Sequence, residues 1–142
     1  MIKRCMSLLI ICCLLATMIA LPAVKAESRA SNYITNYYAI LSPGDGSGNL
    51  EIEYHITAGV TGITRIGVLA IFVYRTDGTL AKTIIGSTSN GMVKSSGTTV
   101  VGVRNFTLNP GETYYCSVRF IVENANGNDT RSYTTNTVVA PR

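Results

Sequence analysis

His55 and Cys116 are the side chains of this sequence with the chemistry of a catalytic base and a nucleophile. A thiol serves as a catalytic nucleophile where a base lies within hydrogen-bond reach, and His55 is the one histidine of the chain. Alternation of apolar and polar residues places His55 on the polar face of its predicted strand and points Cys116 into the core. We therefore expect the two side chains not to meet, and we predict a protein that is not an enzyme.

Oxygen-bearing side chains stand at every second position in one predicted turn, a spacing that suits a hard cation such as Ca²⁺. They are Asp45, Ser47, Asn49 and Glu51. The stretch lacks the glycine and the distal glutamate of a calcium loop, so a flexible hairpin turn is the alternative interpretation. The sequence contains no phosphate loop, paired-cysteine motif or cluster of metal-ligand residues, and it therefore predicts no cofactor.

The eight tyrosines are a third source of chemistry, because exposed tyrosines form rigid recognition surfaces at a low cost in entropy. Tyr37 and Tyr38 occupy the two faces of one predicted strand, so one of them is expected to be exposed. Tyr115 points away from the core by the same alternation. The sequence predicts Tyr37, Tyr38 and Tyr115 as a binding surface, and half-buried strand residues are the alternative.

The N-terminal 26 residues have the three parts of a secretory signal peptide. Lys3 and Arg4 precede an apolar stretch of about 15 residues at 7–21, and Val24 and Ala26 form a small-residue cleavage pattern. A retained membrane anchor is the competing interpretation, but the stretch is short for a helix that must cross about 30 Å of hydrocarbon. We predict a signal peptide at 1–26, a short extension at 27–32 and one domain at 33–142.

Removal of this segment changes the charge and the cysteine content of the chain. The whole sequence has a net charge of +4, but three of its twelve basic residues and none of its eight acidic residues leave with the signal. The remaining net charge of +1 gives no reason to expect binding to nucleic acid or stable insertion into a membrane. Cys116 becomes the one cysteine left, which predicts a buried free thiol or, alternatively, a disulfide between chains.

Short apolar runs separated by Gly, Asn, Asp and Ser predict seven strands. The cleanest alternation places Leu50, Ile52, Tyr54 and Ile56 on one face. Asp77-Gly78 predicts a hairpin, 86–97 a long polar loop and 124–129 a turn. Seven antiparallel strands with turns every 8–12 residues predict an all-β sandwich, with a small barrel as the alternative. The predicted strands are 33–41, 50–57, 66–74, 80–85, 98–106, 114–122 and 131–139.

A turn before the sixth predicted strand narrows the choice of β-sandwich class. Pro110-Gly111 favours a tight turn, and a tyrosine directly after such a turn can hydrogen-bond back to its backbone. The segment resembles the Leu-x-Pro-Gly-x-x-Tyr corner of fibronectin type III domains at Leu108, Pro110, Gly111 and Tyr114. The resemblance implies a β-sandwich of that class, or an immunoglobulin-like relative, because the chain has no tryptophan and Tyr54 stands nearest to its usual place.

A second resemblance is to small secreted proteins of clostridia-type Gram-positive bacteria. It lies in the signal peptide, Ile66-Gly67, Tyr114-Tyr115 and the segment at 129–136. This resemblance implies export from a bacterium and no particular activity.

The sequence as a whole predicts a secreted, non-enzymatic binding or adhesion module whose partner is an extracellular protein or glycan. Loops at the ends of a sandwich or an open sheet edge form such contacts, and 44–48 and 86–97 are the candidate loops. The alternative is a self-associating subunit of a cell-surface or spore assembly, because the third predicted strand is apolar on both faces and Cys116 lacks a partner within the chain. A homo-oligomer is part of this alternative.

Overall fold

The protein is described by a computed structural model over residues 33–142, so the predicted signal peptide at 1–26 and the extension at 27–32 lie outside the described residues. No helix long and apolar enough to span a membrane occurs among residues 33–142. The described chain consists of strands, turns and bends. The strands are β1 (Ile34–Pro43), β2 (Asn49–Ala58), β3 (Ile63–Arg75), β4 (Leu80–Ile85), β5 (Val93–Lys94), β6 (Thr99–Thr107), β7 (Thr113–Asn124), β8 (Gly127–Thr134) and β9 (Val138–Val139).

Two antiparallel sheets pack face to face, and the fold is all-β, as predicted. The first sheet has three strands in the order β1-β2-β6, and the second has the order β4-β3-β7-β8. The short strands β5 and β9 pair with β3 and β7 at the margins of the second sheet. The apolar side chains of the two inner faces form one core cluster between the sheets, which is the packing of a β-sandwich.

Strand β2 shows why these residues form a strand with one buried face. Its alternating side chains Leu50, Ile52, Tyr54 and Ile56 are each at most 1% exposed, whereas Glu53 between them is exposed. A period of two along a pleated strand sends successive side chains to opposite faces, so this sequence buries one stripe and exposes the other. The alternation predicted for this strand is confirmed.

The third strand is central in its sheet and contains a β-bulge. β3 pairs with β4 on one side and with β7 on the other. Val68 and Ile71 are both fully buried although they are three residues apart, a separation that would put them on opposite faces of a regular strand. The register shift between Val68 and Ala70 inserts one extra residue and returns Ile71 to the inner face.

The last predicted strand, 131–139, is interrupted in the structure. β8 begins earlier, at Gly127, and ends at Thr134, so the turn predicted at 124–129 is shorter than expected. The chain then leaves β7, and the Asn136 side chain accepts a hydrogen bond from Leu41 N–H (3.1 Å) and donates one to Leu41 C=O (2.9 Å). This amide takes the place of a neighbouring strand and partly closes the free edge of β1.

The loop predicted at 86–97 contains the two-residue strand β5 and packs tightly against β3. Met92 in this loop is fully buried. A Cβ added at Gly67 of β3 would lie 2.1 Å from the Met92 carbonyl oxygen, and Gly67 has a φ of 145°. A glycine is therefore required where the loop backbone crosses the strand.

Candidate binding surfaces

The turn between β6 and β7 leads directly into Tyr114. Tyr114 is fully buried, and its hydroxyl donates a hydrogen bond to Glu112 Oε2 at 2.7 Å. The backbone of Asn109 also hydrogen-bonds to the phenol, which ties the ring back to the turn. Gly111 has a φ of 79°, a conformation that favours glycine, and its N–H donates to Ala140 C=O at 2.8 Å. The turn is a structural unit that orients the start of β7.

Glu112 joins this turn to the β3–β4 hairpin. Its Oε2 accepts a hydrogen bond from Arg75 Nε at 2.8 Å as well as the bond from Tyr114. The Arg75 hydrogen bond, followed by the Tyr114 bond, holds the pKa of Glu112 below its ordinary value of 4.5. Burial and then the Glu112 bond raise the pKa of Tyr114.

A carboxylate with a lowered pKa in the folded state stabilises the fold above its unfolded pKa and loses that contribution as the pH falls through the folded pKa. We therefore expect Glu112→Gln to flatten the loss of stability between about pH 5 and pH 3. Urea unfolding at a series of pH values measures this slope. Glu53→Gln, at an exposed position without an ion pair among residues 33–142, is the control. An unchanged slope in Glu112→Gln would contradict the assignment.

Cys116 lies on the inner face of β7, opposite Val73, and is fully buried. Its N–H donates to Thr135 Oγ1 at 2.9 Å, and its C=O accepts from Thr135 N–H at 2.9 Å. Burial raises the pKa of the Cys116 thiol to about 12. The side chain acts as a small apolar core residue, and a second chain has no access to its sulfur while the domain is folded.

We expect the native Cys116 thiol to react with an aromatic disulfide reagent at pH 8 at least about 100-fold more slowly than the unfolded thiol, because the thiolate is the nucleophile. Absorbance of the released thiol, measured with and without urea, gives both rates. Reaction at equal rates, or a disulfide-linked dimer on a non-reducing gel, would show that the sulfur is accessible.

His55 lies on the outer face of the three-stranded sheet, whereas Cys116 lies on the inner face of the other sheet. The His55 ring stacks on Tyr38 with a centroid distance of 5.1 Å and an interplanar angle of 4°. Its Nε2 lies 2.8 Å from Thr57 Oγ1. Alternation predicted the outward direction of His55 and the inward direction of Cys116, and the structure adds that the two residues lie on different sheets.

A cleft of about 260 Å³ opens beside the β1–β2 turn and contains three of the four predicted cation ligands. Asp45, Asn49 and Glu51 line it together with Asn105 and Thr107, and Ser47 is not among the lining residues. Asn49 Oδ1 already accepts a hydrogen bond from Thr107 Oγ1 at 2.6 Å. No group of three or more His, Cys, Asp or Glu residues within 33–142 is arranged to hold a metal ion. The cleft is therefore an acidic recess with amide groups.

The three tyrosines predicted as a binding surface lie in three different places. Tyr37 packs against the core, with its ring centroid 5.7 Å from that of Phe120. Tyr38 lies on the outer face of the three-stranded sheet beside His55. Tyr115 lies on the outer face of the six-stranded sheet. The structure does not bring these three residues together on one surface.

Tyr115 belongs to a larger exposed surface that sequence reasoning missed, which we call the aromatic face. Its ring stacks on Tyr74 of the adjacent strand, with centroids 5.4 Å apart and an interplanar angle of 21°. Leu80 and Ile85 of β4 extend the surface and are 52% and 63% exposed. The aromatic face consists of Phe72, Tyr74, Leu80, Ile85, Tyr115 and Arg119. The Asp77-Gly78 hairpin signal in the sequence indicates that β3 and β4 are neighbours, and it could therefore have identified the part of the aromatic face that these two strands form.

The outer face of the three-stranded sheet is a second exposed surface, which we call the acidic face. One row of cross-strand neighbours is Ile40, Glu53 and Val103, and the next row is Tyr38, His55 and Val101. Ile40, Val101 and Val103 are 47%, 55% and 45% exposed. The acidic face consists of these six residues and Glu51, next to the cleft.

No family model matches this chain, and no curated protein is similar to it.

Proposed function

We propose that this protein is a secreted, non-enzymatic binding module whose aromatic face contacts a protein partner. The observation that carries the proposal is the stacked Tyr74–Tyr115 pair beside Leu80, with Ile85 on the same face further along β4; Leu80 and Ile85 are more than half exposed. Stacked tyrosines are held in one geometry before binding, so little side-chain entropy is lost when a partner covers them. Contiguous exposed apolar surface of this kind marks interaction sites in soluble proteins.

An apolar face spread over three neighbouring strands favours a protein partner over a glycan. Aromatic anchors surrounded by aliphatic contacts are the usual centre of a protein interface. Arg119 lies on β7 at one corner of this face and makes no ion pair among residues 33–142, so its guanidinium group is available to an acidic group of a partner. We therefore expect a partner surface that is apolar with a carboxylate at one side.

We also propose that the sandwich is of the fibronectin type III-like class. Two features support this. Tyr114 stands two residues before Cys116 at the start of β7, the spacing of the tyrosine corner in sandwiches of this kind. In immunoglobulin constant domains the fourth strand joins the sheet of the first two strands, whereas here β4 pairs with β3.

Export completes the proposal. The charged start, apolar stretch and small-residue site of residues 1–26 support secretion, in line with the resemblance to small secreted bacterial proteins. Mass spectrometry of the protein recovered from culture medium tests this. We expect an N-terminal peptide that begins at Glu27. A chain that is recovered intact with the cell membrane would refute export by a cleaved signal.

The binding test uses the exported protein immobilised through a C-terminal tag and exposed to the producer's medium and cell-surface extract. Chemical cross-linking and mass spectrometry identify the contact residues, and a panel of cell-wall glycans is tested in parallel. We expect capture that Tyr74→Ser/Tyr115→Ser reduces and that Lys94→Glu, exposed on β5 and outside both faces, leaves unchanged. Capture that the double variant leaves intact, or binding to glycans alone, would refute the aromatic face as a protein-binding site.

A further inference from the structure

The exposed apolar side chains of this domain are concentrated on its two opposite outer faces. Six large apolar residues of the described chain are exposed, and five of them belong to these faces. Ile40, Val101 and Val103 lie on the acidic face, and Leu80 and Ile85 lie on the aromatic face. A domain that works alone needs no such surface on both sides, because exposed apolar patches of soluble proteins mark contact sites.

The two faces carry opposite charge. The outward positions of the three-stranded sheet include Glu51 and Glu53 and no lysine or arginine. Asp45 in the adjoining cleft adds a third carboxylate. The aromatic face has Arg119 at its β7 corner and no acidic residue among its members, and the next outward carboxylate along β7, Glu123, lies opposite Arg65. Glu53 and Arg119 have no salt bridge to any residue within 33–142.

We infer that the partner of the aromatic face is a second copy of this chain, which docks through its acidic face. This inference rests on the proposed function, since it uses the same aromatic face and names its partner. Glu53, flanked by Ile40 and Val103, meets Arg119 of the next copy, and the aliphatic side chains pack beside it toward Ile85 and Phe72 of the aromatic face. The sheets stack as the two layers of a sandwich do, about 10 Å apart.

Opposite charges on different faces determine how copies are arranged. Docking of two acidic faces would bring Glu51 and Glu53 of both copies together, and docking of two aromatic faces would give Arg119 no carboxylate among the members of that face, so neither symmetric pair is favoured. Head-to-tail docking leaves one unused face at each end of the complex. Such a heterologous contact extends into a chain of copies unless the rotation between them closes a ring.

The size of the acidic face indicates weak association. The acidic face is three strands wide and as long as the nine-residue strand β6. At about 3.4 Å per residue and about 4.8 Å between strands, its footprint is roughly 30 by 14 Å. A standard interface buries about 800 Å² on each partner, so this contact lies at the small end. Association is therefore expected at high local concentration, as on a cell surface.

Sedimentation velocity of the exported protein from 10 µM to 1 mM, in about 50 mM salt, tests the inference. We expect the average mass to rise steadily with concentration. Glu53→Lys and Arg119→Glu should each weaken association at least tenfold, because each brings like charges together in the contact. Lys94→Glu, exposed on β5 and outside both faces, changes the net charge as much as Arg119→Glu and should have no effect.

Mutual rescue is the decisive result. An equimolar mixture of the two single variants, and the double variant Glu53→Lys/Arg119→Glu, should regain wild-type association because every contact is again between opposite charges. Association that ignores both charge reversals would overturn the inference. Pairing of two copies along the open edge of β6 would give that result. Arg104 of β6 donates to the Asn90 carbonyl oxygen of its own chain.

A monomer at 1 mM would also overturn the inference. The proposed function is judged separately by the capture experiment. A monomer that binds another protein through Tyr74 and Tyr115 leaves the function standing with a different partner. A protein that neither associates nor loses capture in Tyr74→Ser/Tyr115→Ser refutes both.

Discussion

Gly102→Ala is expected to destabilise the domain by about 2–3 kcal/mol, the cost of overpacking a well-filled core. An added Cβ would lie 2.3 Å from the Tyr54 hydroxyl oxygen and 2.5 Å from its Cζ. Tyr54 is 1% exposed, so its ring has no free space to enter. Strand propensity alone would favour alanine over glycine by about 0.5–1 kcal/mol, which is smaller than the steric cost and opposite in sign.

Urea unfolding of four proteins measures this effect: wild type, Gly102→Ala, Tyr54→Leu and the double variant. Tyr54→Leu removes the ring that the new Cβ would meet, so Gly102→Ala should cost little or nothing in that background. The difference between the free-energy costs of Gly102→Ala in the two backgrounds is the coupling energy between Gly102 and Tyr54. An equal cost in both backgrounds would show that Gly102 is required for some reason other than the Tyr54 ring.

Tyr114→Ala is expected to destabilise the domain by about 3–5 kcal/mol, as loss of a fully buried aromatic side chain does. Tyr114→Phe keeps the ring and removes only the hydroxyl, which donates to Glu112 and is bonded by the Asn109 backbone. The loss of this hydrogen bonding should cost about 1–2 kcal/mol. The difference between the two variants separates packing of the ring from anchoring of the turn.

Tyr115→Phe is the matched control, because Tyr115 is the next residue, is half-buried on the outer face and stacks on Tyr74 through its ring. Its hydroxyl makes no hydrogen bond with any of residues 33–142, so a change within about 0.5 kcal/mol is expected. Chemical unfolding monitored by circular dichroism measures all three variants. If Tyr114→Phe were as stable as wild type, the corner would hold β7 by ring packing alone.

The strands and turns of this fold could largely be predicted from the sequence, but the order in which the strands lie side by side in each sheet could not. The alternation in β2 assigned Tyr54 to the core because the period of a strand is a local property. The interruption after β8 was missed, because Thr135 and Asn136 leave the strand to bond to Cys116 and Leu41, which are distant in sequence. No local pattern encodes such contacts.

The candidate surfaces divide in the same way. Alternation predicted that Tyr115 points outward, and it placed His55 and Glu53 on a polar face. It could not show that Tyr115 stacks on Tyr74, because this depends on the register between β3 and β7. It also could not separate Tyr37, Tyr38 and Tyr115 into three locations.

The sequence by itself determined the β-strand character of the chain, the inward face of β2 and the turn before Tyr114, because these follow from alternation and turn chemistry over a few residues. The tertiary structure alone decided that β2 lies between β1 and β6 and that β3 lies between β4 and β7. Strand pairing joins residues far apart in the chain, so it depends on how both sheets close over one core. The opposed acidic and aromatic faces are products of that pairing.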